Sequence, residues 1–175
     1  MKKIFTLLAI ALASTQAYSQ FWTYTNYKGA FPVTDMTAAT DWTSGWANWD
    51  PQNANYPATT VTVSSDITVN TTWSTGQVVF LQNHVYVKNG ATLTIQPGVI
   101  IRGDLATQGA LLISRGSKIM AMGTAANPIV FTSNEAAGTR DAGDWAGLVV
   151  LGAATNNQPG GIANIEGVVA GPDNE

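Results

Sequence analysis

The sequence predicts an all-β fold, a right-handed parallel β-helix, and three observations carry that expectation. Charged residues make up only 11% of the 175-residue chain, against roughly 25% in ordinary globular domains. From residue 59 onward, short apolar-alternating runs bounded by Gly, Asn, Pro or Ser replace any helical period. Finally, VYVKNGATLTIQPG (85–98) lies over LLISRGSKIMAMGT (111–124) without a gap: Val85 meets Leu111, Val87 meets Ile113, Gly90 meets Gly116 and Leu93 meets Ile119. Self-similarity at a period of 20–50 residues marks a solenoid or array, and short strands without an intervening helix select a β-solenoid. A two-sheet β-sandwich is the alternative fold; it explains the alternation but not the repeat.

Taken in chain order, residues 1–19 read as a secretory signal peptide. Lys2 and Lys3 precede an apolar run from Ile4 to Ala13, and Ala17 and Ser19 occupy the −3 and −1 positions of a cut before Gln20. A cut after Ala17 is the second choice. The apolar run is shorter than the roughly 20 residues of a membrane-spanning helix. The expected location is therefore extracellular or at the outer cell surface, with no membrane span in the mature chain. Cleavage removes two lysines from a chain whose formal charge is already −3, which disfavours nucleic acid as a partner. The absence of Cys removes disulfides, thiolate metal sites and cysteine nucleophiles.

Residues 20–58 hold Phe21, Trp22, Tyr24, Tyr27, Phe31, Trp42, Trp46, Trp49 and Tyr56 with no regular period. A β-solenoid leaves open sheet edges at its ends, so this aromatic segment is expected to cap the first coil. Residues 59–175 are expected to form the coils. Strands are expected at Thr60–Val63, Ile67–Val69, Val78–Leu81, Val85–Val87, Ala91–Ile95, Val99–Ile101, Ala110–Ile113, Lys118–Met122, Ile129–Thr132 and Leu148–Leu151. Gly90 and Gly116 fall where the chain turns between faces and a positive φ is needed, and Pro97-Gly98 marks a second corner. The repeat continues when Val99-Ile100-Ile101 is matched to Ile129-Val130-Phe131 after four inserted residues, and a third pass starts at Gly147. The closing GPDNE carries no visible cap, which suits a piece of a longer protein.

VYVKNGATLTIQPGVIIRGD, ALLISRGSKIMAMGTAANPIVFTSN and GDWAGLVVLGAA together resemble the N-terminal part of large secreted or cell-surface parallel β-helix proteins of Bacteroidetes. The resemblance spans about residues 60–155. It implies a signal peptide and, in many members, export by the type IX route, whose C-terminal sorting domain this sequence does not contain. It implies fold and location more than activity.

The candidate sites are few. Trp42, Trp46 and Trp49 could form a sugar-stacking platform, or could pack over the first coil. Asp141 and Asp144 form an Asp-x-x-Asp loop beside Arg140 and Trp145. Such a pair could do acid–base work on a polysaccharide or offer oxygens to Ca²⁺; the plainer reading is a solvated loop. Ca²⁺ is the one cofactor considered. Arg102-Gly103-Asp104 spells an integrin-binding tripeptide at a strand end, and His84, the only histidine, precedes a strand. The cations are scattered, where an enzyme of this architecture gathers basic and acidic groups on one face. The expectation is a non-catalytic adhesion or scaffold module meeting an extracellular glycan or cell-surface partner; the alternative is a carbohydrate-binding or polysaccharide-degrading protein.

Overall fold

The computed structural model describes residues 43–168 and 171–173. The expected signal peptide, residues 20–41 and Trp42 lie outside the described residues. The chain divides into two compact units, Met1–Ser44 and Gly45–Glu175; the second contains everything below.

Among the described residues ten short strands follow one another: β1 (Val61–Val63), β2 (Thr71–Trp73), β3 (Val78–Leu81), β4 (His84–Val87), β5 (Thr92–Ile95), β6 (Ile100–Gly103), β7 (Ala110–Ile113), β8 (Lys118–Ala121), β9 (Val130–Ser133) and β10 (Gly147–Val150). They sort into three sheets, ordered β1-β3-β6-β9, β4-β7-β10 and β2-β5-β8, and every pairing is parallel. Each circuit of the chain visits the sheets in the same sequence, so the fold is a right-handed parallel β-helix of stacked coils. A sandwich of antiparallel sheets is excluded by the pairing.

The repeat read from the sequence is the register of the structure. Val85 pairs with Leu111 and Val87 with Ile113, Leu93 with Ile119, and Ile100 with Val130. Stacking like on like builds the core. Val79 and Ile101 continue the column of Val61 and Phe131. Leu81, Val85, Val87, Leu93, Ile101 and Leu111 are all 0% exposed, and fully burying such a side chain contributes roughly 1.5–3 kcal/mol. The corners behave as expected. Gly90 and Gly116 have φ of 73° and 85°. Gln96-Pro97-Gly98-Val99 closes with a Val99 N–H to Gln96 carbonyl bond of 3.3 Å and φ of 80° at Gly98, the geometry of a type II turn.

Two local expectations change. Ile67–Val69 is no strand: only Ile67 bridges, to Val87, and Val69 is 69% exposed. The strand of that coil's third face is Thr71–Trp73, where Trp73 stacks on Ile95. Apolar alternation pointed to Ile67 and Val69, but the chain turns at Asn70, whose Oδ1 accepts from the Thr92 N–H at 2.9 Å.

The described half of the aromatic segment also lies elsewhere than over the first coil. It forms a strap along the outside of the four-stranded sheet. The Gly138 N–H donates to the Gln52 carbonyl at 2.8 Å, Arg140 Nη1 donates to the Pro51 and Ala54 carbonyls at 3.1 and 2.6 Å, and Arg102 Nη1 donates to the Pro57 carbonyl at 3.0 Å. The strap thus runs from the fourth coil back toward the first, drawn there by two arginines that satisfy its carbonyls.

A second long-range contact is made just past the ends of β4 and β7. Lys88 Nζ sits 2.7 Å from Asp66 and 3.2 Å from Asp173, and Ser114 Oγ donates to the Asp173 carbonyl at 3.0 Å. The hydrogen bond to Asp66, then that to Asp173, raises the Lys88 pKa above its ordinary value. Leu112, outward by strand alternation between Tyr86 and Val149, is only 1% exposed.

Candidate functional site

The repeat is broken most between β9 and β10. Residues 134–146 replace a tight corner with a loop, and that loop carries Arg140, Asp141, Asp144 and Trp145. Loops held on a rigid scaffold are where binding groups concentrate. Here the scaffold is the fourth coil on one side and the strap on the other.

Trp145 anchors the loop. Its ring stacks on Phe131 with centroids 6.4 Å apart and planes 6° from parallel, and it packs against the core. The space it fills is the one Gly103 leaves: a Cβ on Gly103 would stand 2.5 Å from the Trp145 Cβ. Gly103 pairs with Leu81 above and Ser133 below, so the inward column is interrupted by a ring that arrives from the loop.

Two grooves meet at Phe131. One, of about 440 Å³, is lined by Trp46, Ala121, Thr124, Pro128, Ile129 and Phe131 among others. The other, of about 630 Å³, is lined by Gln52, Thr132, Ser133, Arg140, Asp141 and Trp145 beside Phe131. Sharing Phe131, they are taken together as one trough: its apolar part runs between Trp46 and the connection from β8 to β9, its polar part between the strap and the fourth coil. Trp46 is 44% and Trp49 70% exposed, so the two described tryptophans of the expected platform keep much of their surface in solvent, and Trp46 belongs to the trough.

The carboxylates are placed differently from one another. Asp144 is buried. Its Oδ2 accepts from the Asp141 N–H at 2.9 Å. The Ser133 hydroxyl bond, then that backbone bond, hold the Asp144 carboxyl below its ordinary pKa, with a further contribution from the Arg140 charge. Asp141 is exposed on the groove wall, and its Oδ1 accepts from the Ala142 N–H at 2.7 Å. The pair therefore closes a turn. Ca²⁺ wants six to eight oxygens, and among the described residues no group of three or more His, Cys, Asp or Glu comes together; this donor set does not fit that ion.

Arg140 is a bracket for the strap. Besides its two strap carbonyls, its Nε donates to the Glu135 carbonyl at 3.0 Å, and its guanidinium lies 4.9 Å from the centre of the Tyr56 ring. Arg102 Nη2 donates to the Asn134 carbonyl at 3.0 Å, and desolvation, with Arg140 nearby, lowers its pKa. The Arg102-Gly103-Asp104 triplet is thus woven into the coil: Arg102 binds backbone, Gly103 faces Trp145, and Asp104 Oδ2 accepts from the Thr107 hydroxyl at 2.7 Å. His84 opens β4 opposite Ala110.

Phe131, Thr132, Ser133 and Gln52 are wall residues that no sequence motif marks. Their signal was the lengthened interval between the second and third passes of the repeat. Among the described residues no helix is long and apolar enough to cross a membrane. No curated protein and no solved structure matches the chain. The pectate-lyase-like β-helix domain matches residues 65–171, more than half of the sequence, and with every sheet parallel and the coils in register the chain belongs to that family.

Proposed function

We propose that this chain is an exported, non-catalytic β-helix module that binds polysaccharide along the trough between strap and fourth coil. The trough carries the reading: Trp46, Phe131 and Trp145 line its two grooves, and flat aromatic faces beside a few polar groups suit the apolar faces and hydroxyls of sugar rings. The family's pectate-lyase-like description supports a polysaccharide ligand. The pattern of residues 1–19 supports export. A non-catalytic role is supported by the state of the carboxylates. Asp144 is buried and its carboxylate is given to the Ser133 hydroxyl and the Asp141 N–H, so it serves the turn.

A glycan array with the chain from Gln20 onward tests this, alongside a Trp46→Ala/Trp49→Ala variant. The expected result is specific binding that weakens at least about tenfold in the variant, while unfolding stability changes by less than about 1 kcal/mol because both rings are largely outside the core. Undiminished binding in the variant would remove the tryptophans from the site. Release of new sugar ends from a bound polysaccharide would overturn the non-catalytic reading.

A further inference from the structure

We infer that the trough selects neutral polysaccharide over polyuronate; this rests on the polysaccharide-binding reading above. A polyuronate brings a carboxylate on every sugar, and its recognition needs cations turned toward the ligand. The two guanidiniums near the trough are committed to the fold. Arg140 gives Nε and Nη1 to three backbone carbonyls and lies over Tyr56. Arg102 gives both Nη atoms to the Pro57 and Asn134 carbonyls, and its Nε is buried. Lys88 is held between Asp66 and Asp173 on another sheet, and Lys118 lies on the sheet of β2, β5 and β8.

What the wall does present is suited to hydroxyls. Asp141 can accept from a pair of adjacent sugar hydroxyls and the exposed Gln52 amide both donates and accepts, while Thr132 is largely covered and the Ser133 hydroxyl is given to Asp144. Asp144 stands behind Asp141 as a second negative charge. Asp141 and Asp144 offset the charges of Arg140 and Arg102, whose donors are turned to backbone carbonyls, so a string of uronates meets no excess of positive charge, while neutral hydroxyl pairs find Asp141 and Gln52.

The test is titration of the chain with xylan, β-mannan and β-glucan oligosaccharides and with polygalacturonate, each at low and high salt. The expected result is binding to a neutral glycan that is insensitive to salt, polygalacturonate at least about tenfold weaker, and a loss of about tenfold in neutral binding for Asp141→Ala. Asp141→Lys, checked by circular dichroism, should raise polygalacturonate affinity. Tighter binding of polygalacturonate, falling as salt rises, would overturn this inference and leave the polysaccharide reading standing. Neutral binding indifferent to Asp141→Ala would also overturn it. Binding to neither kind would sink the polysaccharide reading, and this inference with it.

Discussion

Replacing Gly103 with Ala separates steric from conformational cost at the centre of the site. Gly103 is not among the positive-φ glycines, so its backbone tolerates a side chain. In isolation, Gly→Ala at such a position stabilises by about 0.4–1 kcal/mol, through the unfolded chain. The added Cβ would meet Trp145 Cβ at 2.5 Å, and Cδ2 and Cε3 at 2.7 Å, about 1 Å inside an ordinary carbon contact. Overpacking of this kind costs about 1–3 kcal/mol, so Gly103→Ala should destabilise by about 1–2 kcal/mol in the otherwise native chain. Trp145→Gly removes all three opposing atoms. In that background the same substitution should be neutral or stabilising, giving a coupling of about 1–3 kcal/mol in a double-mutant cycle. Urea unfolding at constant m-value reads each arm, and near-UV circular dichroism follows the Phe131–Trp145 stack. Equal effects of Gly103→Ala in both backgrounds, within about 0.3 kcal/mol, would refute the claim that Trp145 is why residue 103 is glycine.

Arg140→Lys keeps the charge but loses the fork that spans the Glu135, Pro51 and Ala54 carbonyls; it should cost about 1–2 kcal/mol locally and speed limited proteolysis within residues 50–57, and an unchanged cleavage pattern would show that other contacts hold the strap. Asp144 has a folded pKa below its ordinary value, so its contribution is fully present above that ordinary value, near 3.8, and is lost as pH falls from there through the folded value. Asp144→Asn should be less stable at neutral pH and should lose less stability on acidification than the native chain; parallel curves of urea midpoint against pH would remove this carboxylate from the acid response.

The architecture was legible in the sequence because a β-solenoid writes its register into the chain. A residue that must stack on its equivalent one coil below has to be of like kind, so Val85 over Leu111 and Leu93 over Ile119 appear as a repeat in the sequence itself. The glycine corners were legible for the same reason: backbone at positive φ admits few residues, and Gly90 and Gly116 recur in step. Thr71–Trp73 was missed because a strand of two threonines and one tryptophan carries no alternation; its identity comes from stacking on β5. The site was legible only in outline. Trp46, Asp141, Asp144 and Arg140 could be named from composition and spacing, but their roles are long-range facts. The strap reaches the fourth coil because arginines distant in sequence bind its carbonyls. Trp145 fills the room left by Gly103 on β6, and Asp173 returns to bond Ser114 and Lys88. Periodic stacking is a local, repeated constraint and so leaves a trace in sequence. A single contact between aperiodic segments is satisfied once, by one pair of groups, and only the folded chain shows which pair.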